Sequence, residues 1–493
     1  MPQKPHKKKE KTSLKNPICP MAHNDVQARS KKQSSDVAVV MVPLPAQGHL
    51  NQLLHLSRRI AAHSIPVYYA GDASHLRQAK LRLHGWNDPS PPTTTLIHFQ
   101  KFPTTPFETP PPNPHASTKF PSQIMPSLKA SLDLRSPVFH FVEQLAGVFR
   151  RVVVVYDSLM SHVVQDIHAV LDAECYIFRS ISSFAIASWE VEISPDLPIA
   201  SEVRNEIPPI DGHYPPEFSD FLGLQIRARK IYSGEIYNSC REIEGFCLDL
   251  LEKRMRNKGK KIWAMGPFNP VSVNNNNSVR HKCLDWLDRH ESSTVVFISF
   301  GTTCSISDEQ IKEIAFGLER SGHKFMWVLR DADKGDIFAG SDRKPGELPD
   351  GFEERVRERG MIVRDWAPQL EILGHPSIGG FVSHCGWNSC LESISMGVPI
   401  ATWPQHSDQP TNAVLVTKVL KIGIEMKKWS RDDKLVSSSI VEKAVRILMG
   451  SSEGVEIRKR ASELGKAVKN STREGGASRK EMDSFINHIT RDD

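Results

Sequence analysis

The feature that most constrains the fold is an alternation between short apolar runs and stretches with helical periodicity. Val37–Val42 is continuously apolar and rich in β-branched residues, which is typical of a parallel strand buried on both faces. A helical pattern follows it, and Ile65–Tyr69 predicts the next strand. The apolar face of that helix carries Leu50, Leu53, Leu54, Ser57 and Ile60. Strand–helix–strand units of this kind build parallel sheets with helices on both faces.

The alternation occurs in both halves of the chain, on either side of the polar stretch Gly266–Ser278. In the first half a strand is predicted at Val152–Val155, with a helix from about Leu159. In the second half the predicted strands are Val295–Phe300, Phe325–Leu329, Met361–Arg364, Gly380–Ser383 and Pro399–Thr402, and the predicted helices are Asp308–Arg320 and Asn388–Met396. Two doubly wound α/β domains that face one another across a cleft are therefore expected.

Two local signals add detail to this scheme. Ser307-x-x-Gln310 predicts a capping box at the start of one helix. Pro89–Pro121 is crowded with Pro and Thr, which predicts a long irregular insertion that could cover the cleft.

The distribution of charge and cysteine excludes several classes of protein. The formal net charge is +6, but residues 1–35 hold nine basic and two acidic residues, so the remaining chain sums to −1. A nucleic-acid partner is therefore not expected. No apolar run approaches the ~18 residues of a membrane span, and the eight cysteines form no Cys-x-x-Cys pair. We expect a cytoplasmic protein with reduced thiols and without a membrane partner.

Two polar residues follow predicted strands and could act together. His49 comes shortly after the first strand, and its imidazole can take a proton near neutral pH. Asp157 ends the strand that begins at Val152, and its carboxylate could hold the other nitrogen of an imidazole. Each could instead only cap the helix that follows it.

The segment Trp366–Gln409 concentrates groups that suit a nucleotide sugar. An indole at Trp366 offers a stacking face, and the amide of Gln369 could bind a base edge. His384–Ser389 opens a helix, where free N–H groups suit a phosphate. The carboxylate of Glu392 could accept hydrogen bonds from ribose hydroxyls, and Asp408 and Gln409 suit sugar hydroxyls. Thr302 and Thr303 supply further hydroxyls at the end of an earlier strand.

On these residues the chain resembles the plant UDP-dependent small-molecule glycosyltransferases of the two-domain GT-B type. That family carries a 44-residue box that begins with Trp and ends with Gln, and Trp366–Gln409 matches it throughout. Within the family the chain is most similar to zeatin O-glycosyltransferases. The closer likeness lies in PLPAQGHLNQLLHLSR (Pro43–Arg58), GPFNP (Gly266–Pro270), ISFGTT (Ile298–Thr303), ADKGDIFAGS (Ala332–Ser341) and HCGWNSCLESISMGVPIATWP (His384–Pro404).

The resemblance implies a role for each matching residue. His49 corresponds to the catalytic base and Asp157 to its orienting acid. The implied uracil contacts are Trp366, Ala367 and Gln369, and Glu392 is the implied ribose carboxylate. The implied diphosphate contacts are His384, Asn388, Ser389 and Thr302. The implied sugar contacts are Trp387, Asp408 and Gln409, of which Gln409 is the usual mark of a glucose donor.

The resemblance also implies an organisation and a reaction. We expect a disordered basic extension over 1–35, an acceptor-binding domain over 36–260, a linker over 261–278 and a donor-binding domain over 279–470. A C-terminal helix over 471–493 is expected to pack back on the N-terminal domain. The implied reaction is inverting glucosyl transfer from UDP-glucose to the side-chain hydroxyl of cis- or trans-zeatin, by a monomer that needs no metal.

Alternatives remain at this point. UDP-xylose could be the donor, or a flavonoid or another phenol the acceptor. His281 and Asp285 form one of five His-x-x-x-Asp patterns, which acyltransferases also carry, and a non-catalytic nucleotide-sugar binder is a further possibility. Asp331-Ala332-Asp333 could be the metal-holding DxD of another glycosyltransferase class, although a solvated loop is the expectation here.

Overall fold

The computed structural model describes residues 36–82, 95–116, 118–190, 194–209, 214–273, 280–340, 346–430 and 434–492. The expected extension over 1–35 lies outside the described residues, as do the first part of the Pro-rich segment and the end of the expected linker. Among the described residues no helix is both long enough and apolar enough to cross a membrane.

The first half of the chain forms a seven-stranded parallel sheet with the order β3-β2-β1-β4-β5-β6-β7. Its strands are β1 (Val37–Val42), β2 (Val67–Gly71), β3 (Ile97–Lys101), β4 (Arg151–Asp157), β5 (Ala173–Arg179), β6 (Gly234–Tyr237) and β7 (Lys261–Ala264). The α-helices of this half are α1 (Gln47–Ala61), α2 (Ala73–Leu81), α3 (Met125–Ala130), α4 (Arg135–Ala146), α5 (Ser161–Val164), α6 (Ser183–Trp189), α7 (Ser201–Arg204), α8 (Pro216–Ala228) and α9 (Arg241–Asn257).

The second half forms a six-stranded parallel sheet with the order β10-β9-β8-β11-β12-β13. Its strands are β8 (Val295–Ser299), β9 (Lys324–Val328), β10 (Gly360–Val363), β11 (Ile378–Ser383), β12 (Ile400–Thr402) and β13 (Gly423–Glu425). The α-helices are α10 (Lys282–Leu287), α11 (Asp308–Ser321), α12 (Phe352–Arg355), α13 (Gln369–Leu373), α14 (Trp387–Met396), α15 (Gln409–Val414), α16 (Ser438–Gly450), α17 (Ser452–Ser471) and α18 (Ala477–Ile489). The predicted α/β architecture with two Rossmann-like sheets is confirmed.

The strand orders create one switch point in each sheet, where ligands of open α/β sheets bind. In the first sheet β1 pairs with β4, and Val42 lies opposite Tyr156. In the second sheet β8 pairs with β11, and Ser299 lies opposite Ser383. The loops that follow these four strands carry the candidate residues, so the topology brings distant parts of the sequence to two edges.

Two local expectations needed correction. The Pro-rich segment is not irregular throughout, because Ile97–Lys101 forms β3, where Phe99 packs against Tyr69 with ring centroids 5.6 Å apart. The alternation of Ile97 and Phe99 signals this strand, but the surrounding prolines obscure it. The helix expected from about Leu159 is a short 3-10 turn followed by the one-turn helix α5.

The predicted capping box is only half formed. Ser307 caps α11 by accepting a hydrogen bond from the backbone N–H of Gln310 at 3.3 Å. The side chain of Gln310 does not return to Ser307 but exchanges two hydrogen bonds with the backbone of Val436. Because that partner is distant in the sequence, the local pattern could not reveal it.

The last helix, α18, contacts the first sheet at β7. Its buried residues Met482, Phe485, Ile486 and Ile489 recur at helical spacing. The Phe485 ring is fully buried, with its centroid 5.2 Å from that of Trp263 and 5.5 Å from that of Tyr176. The end of the chain thus joins the core of the first half.

Replacing Phe485 by Ala should lower the unfolding midpoint in urea or on heating. The loss of a fully buried aromatic ring and the cavity left behind cost about 3–5 kcal/mol. Lys480→Ala on the exposed side of the same helix is the matched control and should leave the midpoint nearly unchanged. Equal midpoints for the two variants would show that α18 does not contribute to the core.

Candidate active site

One cavity of about 490 Å³ lies between the two sheets at their switch points. His49 lines it together with every candidate of the second half, which are Thr302, Trp366, Ala367, Gln369, His384, Trp387, Asn388, Ser389, Glu392, Asp408 and Gln409. Asp157 is fully buried behind His49. The fold therefore gathers these residues at one site although up to 360 positions separate them in the sequence.

His49 and Asp157 form a close pair. The imidazole Nδ1 lies 2.7 Å from Asp157 Oδ2, and the histidine side chain is 24% exposed whereas the carboxylate has no exposure. The other carboxylate oxygen accepts a hydrogen bond from the backbone N–H of Leu159 at 2.9 Å. Asp157 therefore orients the imidazole and also caps the following turn, while Ala46, not His49, is the N-cap of α1.

The environment of His49 favours a protonated imidazole. Burial alone would lower the pKa of His49, but the charge and hydrogen bond of Asp157, with a further contribution from Asp408, raise it above 6.5. With Nδ1–H donating to the carboxylate, Nε2 is the nitrogen that can accept a proton. This arrangement suits a general base whose protonated form is stabilised by a neighbouring carboxylate.

At one end of the cavity, an amide and a carboxylate are held beside an indole. Gln369 Nε2 donates to Glu392 Oε2 at 2.7 Å and to Ser389 Oγ at 3.0 Å. Burial raises the pKa of Glu392 to about 7, although the hydrogen bond from Gln369 lowers it. The Trp366 indole and Ala367 also line the cavity at this end.

The loops after β8 and β11 meet tightly around His384. A Cβ atom on Gly301 or Gly386 would lie 2.6 or 2.5 Å from the His384 ring, and Gly301 has a φ of +76°. Burial lowers the pKa of His384 to about 4, so the ring is neutral at physiological pH. Among the described residues its Nδ1 has no hydrogen-bond partner.

The N-terminus of α14 adds backbone donors beside His384. The N-cap of this ten-residue helix is Gly386, which has no side chain to accept hydrogen bonds from the N–H groups of the first turn. The N–H groups of its first turn and the helix dipole therefore favour a negatively charged group at this point of the cavity.

Asp408 and Gln409 begin the helix α15 on the sugar side of the predicted site. Burial raises the pKa of Asp408 to about 6, while a hydrogen bond from Asn412 at 2.7 Å and the charge of His49 lower it. Gln409 Oε1 accepts hydrogen bonds from the backbone N–H groups of Gln405 and His406 at 2.9 and 3.1 Å. Both side chains are thus fixed by their own loop and helix.

Among the hydrogen bonds that join the two halves, three connect the site loops of one half directly to the other. Asn388 Nδ2 donates to the Gly48 carbonyl at 2.7 Å, directly before His49. Trp387 Nε1 donates to the Asn238 carbonyl at 2.8 Å, so its indole N–H is already used. Ser182 Oγ donates to Asn412 Oδ1 at 2.6 Å.

Several residues of this site were not predicted from the sequence. Asn412 connects Asp408, Ser182 and the Cys385 carbonyl, and its spacing of four from Asp408 was the available signal. Arg330 also lines the cavity.

Beyond His49 the cavity wall is mostly apolar and aromatic, and its far end also carries charged side chains. The residues that line this part include Phe120, Ile124, Leu128, Leu159, Arg179, Ile186, Trp189, Tyr214, Phe218 and Arg229.

The residues of the possible acyltransferase and metal-binding motifs cap a helix or form ion pairs in the structure. His281 caps α10 by accepting a hydrogen bond from the Cys283 N–H at 3.2 Å, and Asp285 pairs with Arg280. Asp333 of the DxD motif binds Arg82 and Arg330, so arginines compensate its charge and it is not the expected solvated residue.

Comparison with known proteins agrees with this site. The protein-family model described as "Glycosyltransferase, N-terminal domain" matches residues 35–270, and the family model described as "UDP-glucoronosyl and UDP-glucosyl transferase" matches residues 272–449. A zeatin O-glucosyltransferase of Phaseolus lunatus is 52% identical over 96% of this chain and 100% of its own. A zeatin O-xylosyltransferase of Phaseolus vulgaris is 51% identical over 92% and 98%.

A solved structure shows the same fold. The crystal structure of a UGT transferase from Siraitia grosvenorii in complex with UDP is 28% identical and superposes with a TM-score of 0.71, covering 92% of this chain and 100% of that one. Three observations lead to the same assignment: the relatives match nearly the whole chain, the two parallel sheets are present, and Trp366–Gln409 is a complete 44-residue box. The chain belongs to the UDP-glucoronosyl and UDP-glucosyl transferase family and is a plant-type UDP-glycosyltransferase of the GT-B fold.

Proposed function

We propose that the protein transfers glucose from UDP-glucose to the side-chain hydroxyl of zeatin, with inversion at the anomeric carbon. The observation that carries this proposal is that the His49–Asp157 pair lines the same cavity as the Trp366–Gln409 box. A base without a donor site, or a donor site without a base, would support only binding.

In the proposed mechanism His49 Nε2 removes the proton of the acceptor hydroxyl as its oxygen attacks the anomeric carbon. Asp157 stabilises the imidazolium that forms. UDP leaves from the opposite face of the sugar, so an α-linked donor gives a β-glucoside. The developing charge on the diphosphate is met by the first-turn N–H groups of α14, with hydrogen bonds from His384 and Thr302.

The donor residues divide among the parts of UDP-glucose. Trp366, Ala367 and Gln369 hold the uracil, and Glu392 accepts hydrogen bonds from the ribose. Asn388 and Ser389 contribute to the diphosphate, and Asp408 and Gln409 to the sugar. The Trp387 indole N–H is bound to Asn238, so we assign its sugar contact to its backbone. The chemistry of this donor set requires no metal, and we expect turnover in EDTA.

The acceptor is proposed from the relatives and from the shape of the cavity beyond His49. Zeatin is a flat purine with an isoprenoid side chain, and an aromatic, largely apolar wall suits both parts. Phe120 and Phe218 contribute to that wall with ring centroids 4.4 Å apart.

The reaction is tested by incubating the protein with cis- or trans-zeatin and UDP-glucose or UDP-xylose in EDTA. Mass spectrometry should show a hexose adduct on the side-chain oxygen. A pentose adduct would keep the mechanism and replace the donor. UDP binding without any adduct would contradict the zeatin assignment and direct the search to phenolic acceptors.

His49→Ala should lower kcat by about 10²–10⁴-fold because proton transfer is lost, while the Kd for UDP changes little. Asp157→Asn should also lower kcat and should move the acidic limb of the pH profile to lower pH, since the charge that raises the pKa of His49 is gone. His281→Ala, the same change outside the cavity, is the control. Turnover at the wild-type level in His49→Ala would rule out the base assignment.

The affinity for UDP should rise with pH through about 7. The free protein carries a largely protonated Glu392 below that pH, because burial raises its pKa to about 7. Ribose hydroxyls bind the ionised form better, so binding releases a proton and is weakened by acid. Calorimetry from pH 6 to 8 measures this slope, and Glu392→Gln should remove its contribution. UDP itself titrates near pH 6, so the contribution of Glu392 is read from the difference between the pH slopes of the wild type and Glu392→Gln. Parallel slopes would contradict the ribose assignment.

A further inference from the structure

Arg82 reaches across the cleft from the first half of the chain to the second. It follows α2, and its guanidinium donates from Nη1 to Asp333 Oδ2 and from Nη2 to Asp333 Oδ1 at 3.0 Å. The two side chains are only 11% and 7% exposed. Asp333 also accepts a hydrogen bond from Arg330 Nη1 at 2.9 Å. The carboxylate of Asp333, the last residue of the Asp331-Ala332-Asp333 motif, is thus bound by two arginines.

The same guanidinium covers the indole of Trp366. Arg82 Cζ lies 4.4 Å from the ring centroid, and Arg330 Cζ lies 5.5 Å from it. Trp366 and Arg330 line the cavity, whereas Arg82 is not among the described residues that do so. Arg82 therefore supports the indole from outside the cavity and leaves its inner side for a flat ligand.

Asp333 is also tied to the loop that carries Thr302 and Thr303. Its backbone N–H donates to the Thr302 carbonyl at 2.6 Å. Gln123, from the first half of the chain, donates Nε2 to the carbonyls of Thr303 and Asp333 at 3.3 and 3.2 Å. The ion pair and Gln123 thus hold a loop at the proposed diphosphate site.

The segment that follows Asp333 docks on α2 as well. His75 Nε2 donates to the Gly335 carbonyl at 2.9 Å, and the Arg77 guanidinium lies 3.9 Å from the centroid of the Phe338 ring. Arg82 is therefore one of several contacts that fix this segment of the second half against one helix of the first.

We propose that Arg82 and Asp333 are positioning residues of the donor site, which order the indole of Trp366 and the Thr302–Thr303 loop before UDP-glucose binds. The inference rests on the proposed role of Trp366 as the uracil platform. An indole at the start of a loop that could turn freely would have to be ordered when the nucleotide binds, and that ordering weakens affinity. A guanidinium held over the ring and fixed to a carboxylate by two hydrogen bonds removes this requirement, and an ammonium group could not make both contacts equally well.

The test uses Arg82→Gln and Asp333→Asn in the full chain, with Arg135→Gln as the matched control. Arg135 forms a two-bond pair with Asp166 away from the cleft, so this control removes an arginine–carboxylate pair at a more exposed position. For the first two variants the Kd for UDP by calorimetry and the KM for UDP-glucose should rise about fivefold or more. Their KM for the acceptor should stay within about twofold, and Arg135→Gln should change none of these values.

Two further variants show whether the residues act together. Arg82→Gln/Asp333→Asn should be no worse than the more affected single variant, because both substitutions remove one interaction. Arg82→Lys keeps the charge but cannot make both hydrogen bonds to Asp333 while it covers the indole, and should still bind UDP more weakly than the wild type. It provides the test if Arg82→Gln does not fold.

The outcomes separate this inference from the proposed function. Wild-type values of Kd and KM in Arg82→Gln, or a loss of kcat with KM unchanged, would overturn the positioning role. Wild-type protein that binds UDP but does not glycosylate zeatin would overturn only the acceptor, since the comparison of UDP affinities would still stand. Wild-type protein that binds no UDP would overturn both.

Discussion

The hydrogen bond between His49 and Asp157 depends on one topological constraint, the pairing of β1 with β4. These strands are about 110 residues apart in the sequence, yet their carboxyl ends meet because the strand order reverses between them. The same reversal between β8 and β11 brings the Gly301–Thr303 loop against His384. Because both switch points open on one cleft, the proposed base and the residues proposed to bind the donor face each other across it.

Burial in this cleft adjusts the protonation of its side chains in different directions. The neutral form of His384 is stabilised because burial lowers its pKa to about 4, whereas the carboxylate of Asp157 keeps the pKa of His49 above its ordinary value. Burial raises the pKa of Glu392 to about 7 and that of Asp408 to about 6. Of His49 and His384, the one beside a buried carboxylate binds a proton more readily.

The sequence was sufficient where a signal was local. The strands β1 and β8 and the helices α11 and α14 were predicted to within a residue or two, because apolar periodicity and flanking loops mark them. Most of the residues proposed to bind the donor lie in one contiguous segment, so the sequence predicted them as a group. The position of both residues after predicted strands suggested that His49 and Asp157 could pair, but the sequence could not give the distance between their side chains.

What the sequence could not reveal depends on contacts between distant segments. The side chain of Gln310 pairs with Val436 rather than completing a capping box, and β3 is held by pairing with β2 in spite of the surrounding prolines. Arg82 gives no local sign of its position over Trp366, and Asp333, which was expected in a solvated loop, is buried and paired with two arginines. Some of these contacts join distant segments within one half and others join the two halves, so no local periodicity encodes them.

The central claim is that the base and the leaving UDP lie on opposite faces of the sugar. The most direct test is the anomeric configuration of the product from UDP-glucose, read from the coupling between the first two ring protons in its proton NMR spectrum. The account predicts a β-glucoside, with the large coupling of a trans-diaxial pair. An α-glucoside, formed with retention, would contradict single displacement by a hydroxyl activated at His49.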